Sequence, residues 1–397
     1  MNLESSLPRQ FLACLHQVLG GAGKPTSLHE PEFAGNEWQY VKECIDTGWV
    51  SSVGKYVDAF EARMAEITGA SHAVAVVNGT AGLHVALHAA GVAAGDEVFV
   101  QALTFVATAN AVSHSGATPH FIDSEESTFG MDPRALAERL ARVAEPVPGG
   151  GFRNRQTGRR LAAVMPMHVF GQPMDIEGLV EVAQRYGLMV IEDAAESLGA
   201  FRGGRHTGTF GTMGVFSFNG NKIVTTGGGG AVVTNDPALA RRLKSLTTTA
   251  KSAHPWEFVH EEIAFNYRMP NLNAALGCAQ LEQLPSMLRR KRLLSDRYAS
   301  AFEGRPEFAY SATVDGNCWL NSVRLTGASL DTRNSVVQAS LDAGYQCRPV
   351  WRLMHRLTMY EGCPRGELPC AEVLEQELIN LPSSACLADE LERQVTP

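Results

Sequence analysis

The eight cysteines of this 397-residue chain, at positions 14, 44, 278, 318, 347, 363, 370 and 386, include no C-x-x-C pair and none at metal spacing with a histidine. That excludes a zinc module and a disulfide framework, leaves no metal to expect, and fits the reduced thiols of a cytoplasmic protein. Long apolar runs are also missing: Ala73 to Val77 is too short to cross a bilayer. The N-terminus lacks a basic stretch, opens on Glu4, and sets Phe11, Leu12, Leu15, Val18 and Leu19 at helical spacing, which is not a signal peptide. Positive charge is short, 34 Lys+Arg against 42 Asp+Glu for a net −8, so no broad surface courts a nucleic acid and an anionic ligand needs a local positive site. With 45% hydrophobic and 19% charged residues the chain is neither disordered nor fibrous, and it carries no internal repeat.

What is present is an alternation. From about residue 68 to 250, HAVAVV, DEVFV, ATPHFID, LAAVMPM and LMVIED read as buried strands. Helical patterns at 82–90, 106–114, 133–143 and 176–186 separate them, which predicts βαβ crossovers and a mostly parallel sheet covered on both faces. Residues 145–160, EPVPGGGFRNRQTGRR, read as an exposed loop with four solvated arginines. Beyond residue 270 come a long charged helix (271–302), a strand (319–325) and a helix (332–343). The expected units are an N-terminal helix (1–25), a segment packing with the small domain (26–66), a large α/β domain (67–255) and a small α+β domain (256–397).

Four stations fall beside strand ends, where α/β domains bind ligands. Asn78-Gly79-Thr80-Ala81 would seat one phosphate on helix amides, unless Asn78 or Thr80 is only a helix cap. Asp193, ending LMVIED, would hold a protonated ring nitrogen beside small residues that admit a flat ligand, unless it too is a cap. Lys222, in SFNGNK before four glycines, suggests an amine reaching a buried electrophile rather than a surface lysine. Phe105 would stack on a planar ring or sit in the core. Together they supply what pyridoxal 5'-phosphate (PLP) requires.

At these residues the chain resembles the DegT/StrS sugar-nucleotide aminotransferases, through HEPEFAGNEWQYVKECIDTGWVSSVGKYVDAFE, NGTAGLH, TFVATANA, MHVFGQPMD, IEDAAESLGA, FSFNGNKIVTTGGGG, NYRMPNLNAALGCAQL and NLPSSACL. The resemblance implies the aspartate aminotransferase fold (PLP fold type I), with a mostly parallel seven-stranded sheet and a smaller α+β domain. It implies that Lys222 bonds PLP, that Asp193 faces the pyridine nitrogen, and that Gly79, Thr80 and Ser217 hold the phosphate. Phe105 and Ala195 would take the two ring faces. Asn266 would reach the phosphate from the neighbouring subunit of a homodimer, with Arg268 nearby. Glu196 stands where many members have Gln or His, and would meet the cofactor's 3-hydroxyl region or the substrate. Trp49 to Ser52 resembles the nucleotide-sugar loop, with a buried tryptophan as the alternative. Arg348, Arg352 and His355 form a basic cluster able to meet a diphosphate.

The subgroup most similar is that tied to legionaminic and related sialic-acid-like sugars. This implies a UDP-linked 4-keto-6-deoxy-N-acetylglucosamine as substrate and L-glutamate as donor. A PLP sugar dehydratase has histidine in place of the lysine, a non-catalytic regulator would not need both Lys222 and Asp193, and an NAD enzyme would need a strand before G-T-F-G-T-M-G. His168 reads as a structural group.

Overall fold

In the computed structural model, which describes residues 3–20, 25–311 and 315–388, the predicted alternation becomes one sheet. Of the expected units, residues 1–2, 21–24, 312–314 and 389–397 lie outside the described ones. Helices α1 (Leu3–Leu19), α2 (Glu37–Thr47) and α3 (Lys55–Thr68) precede the first strand. Then follow β1 (His72–Val76), α4 (Gly79–Ala89), β2 (Glu97–Gln101), α5 (Val106–His114), β3 (Thr118–Ile122) and α6 (Pro133–Val143). A hairpin of β4 (Ala144–Pro146) and β5 (Phe152–Asn154) leads to β6 (Arg160–Met165), α7 (Ile176–Arg185), β7 (Met189–Asp193) and the short pair β8 (Phe201–Arg202) and β9 (Arg205–His206). The large unit ends with β10 (Met213–Ser217), β11 (Gly230–Thr234) and α8 (Pro237–Thr247). The remainder is α9 (Asn271–Phe302), β12 (Phe308–Tyr310), β13 (Asn321–Leu325), α10 (Leu330–Asp342), β14 (Arg348–Pro349), α11 (Pro369–Glu377) and β15 (Leu378–Leu381).

The main sheet runs β1-β11-β10-β7-β6-β2-β3, with the hairpin added beside β6. Along that path only β11 runs against its neighbours, β10, β7, β6, β2 and β3 being parallel, while the hairpin strand β5 is antiparallel to β6. Alternation along each strand feeds two cores: Val98, Val100, Ala163 and Met165 face one side, Phe99 and Val164 the other with Leu136, Leu140 and Leu179 of α6 and α7. Matched Asp-Pro signals start two helices, Asp132 capping α6 through Arg134 N–H and Asp236 capping α8 through Ala238 N–H. The five parallel strands β10, β7, β6, β2 and β3 therefore all present their carboxyl ends on one edge.

Two expectations change. The 145–160 segment is a hairpin extending the sheet, and its arginines are engaged rather than simply solvated: Arg153 pairs with Glu145 at 2.8 Å and Arg160 with Asp96 at 2.5 Å. Opposed charges on facing strands outweigh the glycine and proline signal. Residues 26–66 do lie against α9, but Tyr56, Val57, Phe60 and Met64 of α3 belong to the large core. The small core is closed instead by α1, whose Phe11, Cys14, Leu15 and Val18 meet Leu294, Tyr298 and Phe302 of α9 and Phe308.

The helix α9 spans about 48 Å at 1.5 Å per residue, long enough to serve both cores. Its residues from Ala274 to Met287 enter the large one and those from Leu294 to Phe302 the small one. Phe11 is fully buried with its ring centroid 6.0 Å from that of Phe302 and 6.1 Å from that of Phe308. Phe11→Ala should cost roughly 3–5 kcal/mol of stability, read by denaturant unfolding. A loss below about 1 kcal/mol would mean that α1 does not close this core.

Candidate active site

The turn from β1 into α4 brings backbone unusually close to β10. A Cβ on Gly79 would stand 2.8 Å from Ser217 Cβ and 3.1 Å from Ser217 Oγ, so only glycine lets the end of β10 meet the start of α4. Asn78 caps the helix, its Oδ1 accepting Ala81 N–H at 2.8 Å. The cap takes that amide, while the amides of Gly79 and Thr80 stand at the positive end of the helix dipole beside the Ser217 hydroxyl.

Asp193 ends β7, buried at 2% exposure. Its Oδ2 accepts Thr108 Oγ–H at 2.7 Å and its Oδ1 accepts Ala195 N–H at 3.1 Å. Burial still raises its carboxyl above the ordinary range, against these two bonds. Phe105 caps α5 directly before the turn that carries Thr108, and its ring is 46% exposed. Exposure that large is what a stacking ring needs and a core phenylalanine lacks.

Lys222 lies in the loop after β10. Its Nζ sits 3.1 Å from Glu196 Oε1 and 3.9 Å from the centroid of the Trp319 ring. Glu196 is buried, and its Oε2 accepts Phe170 N–H at 2.9 Å. Burial pushes Glu196 up to about 7, with the Lys222 charge opposing that rise. Lys222, Asp193, Glu196, Ala195, Phe105, Gly79, Thr80 and Ser217 therefore all belong to the carboxyl edge of the sheet.

The other candidates stand elsewhere in this chain. Asn266 is exposed, in a segment where Arg268 bridges to Val76 at the outer strand β1. Arg268 pairs with Glu61 at 2.8 Å and lines a cavity of about 320 Å³ with Ser52, Val53 and Lys244. Trp49 is not buried; it is 58% exposed and lines a cavity of about 550 Å³ with Val53, Tyr56 and Asn271. Of the basic cluster, Arg348 donates to the adjacent Cys347 carbonyl, while His355 lies 3.8 Å from Glu372 of α11. Trp351, between them in sequence, points inward instead, its ring 6.0 Å from Phe105 and 4.9 Å from Phe170.

His168 is structural. It is buried, its Nδ1 accepting Met174 N–H at 3.3 Å and its Nε2 lying 2.9 Å from Glu192. Glu192 also accepts Gly208 N–H and Gly211 N–H at 2.7 and 2.6 Å, so the glycines of G-T-F-G-T-M-G wrap a carboxylate of the protein itself. Asn317 and Trp319 lie in none of the motifs read from the sequence. Only the packing of distant segments brings them to Lys222.

A glycine-opened helix start, a buried carboxylate, an exposed aromatic residue and a shielded amine thus share the carboxyl edge of a sheet whose fold is that of the PLP-dependent aminotransferases of fold type I. Residues 31–396 match the family model described as the DegT/DnrJ/EryC1/StrS aminotransferase family, and the chain belongs to that family of PLP-dependent sugar aminotransferases. It is 38% identical over 368 residues to the GDP-perosamine synthase of Caulobacter vibrioides, covering 91% of this chain and 94% of that one. Among solved structures it is similar to the aminotransferase TlmJ from Streptoalloteichus hindustanus, with a TM-score of 0.83, 28% identity and coverage of 94% and 96%. DesI, solved in the presence of its TDP-sugar product, gives a TM-score of 0.80, 30% identity and coverage of 97% and 95%. Among the described residues no helix is long and apolar enough to cross a membrane, and no group of His, Cys, Asp and Glu could hold a metal.

Glu196 generates a pH prediction for the cofactor-free protein. With its folded pKa near 7 and an ordinary value near 4.5, the folded state keeps a proton that the unfolded state has lost between these limits. Stability should therefore fall as pH rises from about 4.5 to 7, by up to about 3 kcal/mol, and Glu196→Gln should lack that slope. Melting curves of the two proteins from pH 5 to 8 check it; parallel curves would remove the argument.

Proposed function

We propose that the protein transfers the amino group of L-glutamate to the C4 ketone of UDP-4-keto-6-deoxy-N-acetylglucosamine, in bacterial surface-glycan or nonulosonic acid biosynthesis, as a cytoplasmic homodimer with shared sites. The observation that carries the chemistry is Lys222 Nζ held 3.1 Å from Glu196 beside the buried Asp193. The sugar is read from the resemblance of the N-terminal stretch GNEWQYVKECIDTGWVSSVGKYV. A second reading, a GDP-linked 4-keto-6-deoxy sugar, is favoured by the 38% identity to a GDP-perosamine synthase.

In this reading Gly79, Thr80 and Ser217 hold the cofactor phosphate, joined by Asn266 of the partner subunit. Phe105 and Ala195 cover the two ring faces. Asp193 keeps the ring nitrogen protonated, its acidity already weakened by burial. PLP supplies an electron sink and stores the amino group between the two half-reactions. Lys222 is both the covalent tether and the base that moves a proton at C4 of the sugar, and Glu196 takes up or returns the charge that Lys222 gains or loses. The nucleotide sugar approaches by Trp49, Ser52, Arg268, Arg348 and His355.

Loading the protein with pyridoxamine phosphate and adding UDP-, dTDP- and GDP-linked 4-keto-6-deoxy sugars tests the reading by return of the PLP absorbance. The UDP sugar should restore it fastest. Restoration by the GDP sugar alone would replace the first reading with the second, and restoration by none would end both. Lys222→Ala should leave the fold intact and turnover below about a hundredth of wild type.

The shared site has its own test. Mixed Lys222→Ala and Asn266→Ala chains should form heterodimers with one lesion-free site and regain activity, because the two groups of a site come from different subunits. An active monomer in sedimentation, or no recovery once subunit exchange is verified, would dismiss it.

A further inference from the structure

The segment 317–319, which leads from the small core into β13, is bonded to the active site at more points than a connecting loop needs. Asn317 is buried, and its Nδ2 donates to the carbonyls of Glu196 and Leu198 at 2.8 and 2.9 Å. Its backbone N–H donates to the Gly171 carbonyl at 3.2 Å, next to the Phe170 amide that Glu196 accepts. Trp319 is 4% exposed and held on every side. Its N–H donates to Asn317 Oδ1 at 2.8 Å and its carbonyl accepts Lys291 Nζ at 3.1 Å. Its indole Nε1–H donates to the carbonyl of Asn221, the residue before Lys222, at 2.8 Å. The face of the same indole lies 3.9 Å from Lys222 Nζ.

Lys291 shows how firmly the tryptophan is fixed. It is fully buried, among the described residues its amine meets the carbonyls of Trp319 and Ser383 and no carboxylate, and burial pulls it down to about 7. Stripping water from an amine to satisfy two carbonyls is unfavourable unless those carbonyls must stay in place.

We propose that Trp319 is the positioning residue of Lys222: its indole N–H fixes the lysine loop and its ring face holds the amine in the part of the cycle when that amine is not bonded to the cofactor. A lysine has four rotatable bonds, and a released amine would otherwise swing away from the atom whose proton it moves. The Glu196 carboxylate fixes one side of the ammonium and the indole face the other. The inference rests on the reading of Lys222 as the lysine that bonds PLP.

Borohydride reduction of the PLP-loaded wild type followed by peptide mapping separates the two claims. Label away from Lys222 overturns that underlying reading. With the label on Lys222, Trp319→Leu and Trp319→Phe test the tryptophan. Trp319→Leu should slow the condensation of cofactor-free protein with PLP, in which the amine and aldehyde form a C=N bond and release water, about tenfold as followed by absorbance. It should lower kcat by a similar factor with KM for glutamate and sugar within about twofold, since ground-state binding is untouched. Trp319→Phe keeps an aromatic face but loses the N–H and the wider indole, so about a threefold loss is expected, and this variant carries the test should the leucine variant not fold.

The decisive measurement places Trp319→Leu in Lys222→Ala protein whose turnover is restored by methylamine. A residue that acts through Lys222 has nothing left to position there, and the restored rate should change by less than about twofold. The same tenfold loss in that background, or unchanged condensation and kcat in both single variants, overturns the proposal.

Discussion

Everything at the site answers to one constraint: two carboxylates, Asp193 and Glu196, are buried within reach of one amine. A buried carboxylate must be neutralised or hydrogen-bonded, and a single lysine cannot serve both. The fold solves this by sending donors from separate elements. Thr108 comes from the first turn of α5, the Ala195 amide from the turn after β7, and the Phe170 amide from the turn after β6. The residual strain is visible in both acids, which burial holds above their ordinary range. Glu196, pushed up to about 7, is thus placed to exchange a proton near neutral pH.

The sheet was legible because strands buried on both faces read as continuous apolar runs, separated by stretches of helical periodicity. The helices at 106–114, 133–143 and 271–302 fall where the periodicity places them. The stations at Gly79, Asp193 and Lys222 were legible for a related reason: Asp193 ends β7, while Gly79 and Lys222 lie in the short segments that follow β1 and β10. The hairpin at 144–154 was hidden, since its strands are three residues each and their stability comes from pairing with β6 and from Arg153–Glu145. Trp319 and Asn317 were hidden for a deeper reason. They lie about a hundred residues from the groups they hold, and nothing in their neighbourhood signals a partner at such a distance.

The two hydrophobic cores are not independent. The single helix α9 contributes Ala274, Ala275 and Leu281 to one and Leu294, Tyr298 and Phe302 to the other. Lys291, between these stretches, ties the helix to Trp319 and Ser383. The small core is therefore joined, through one helix and one buried amine, to the indole that faces Lys222. A rigid helix serves here as the link between the packing of a remote hydrophobic cluster and the placement of a reactive amine.

The adjacent acids at the end of β7 face opposite ways, as successive residues of a strand must. Glu192 is wrapped by the Gly208 and Gly211 amides and His168, while Asp193 turns to Thr108. Their identical charge and neighbouring positions hide a strict division of labour enforced by a period of two. Insertion or deletion of one residue inside this strand would exchange the two carboxylates, leaving the wrong acid among the glycine amides and the wrong reach beside the threonine. The residue count between Met189 and Ala195 is thus fixed in this chain by the separate partners of its two acids.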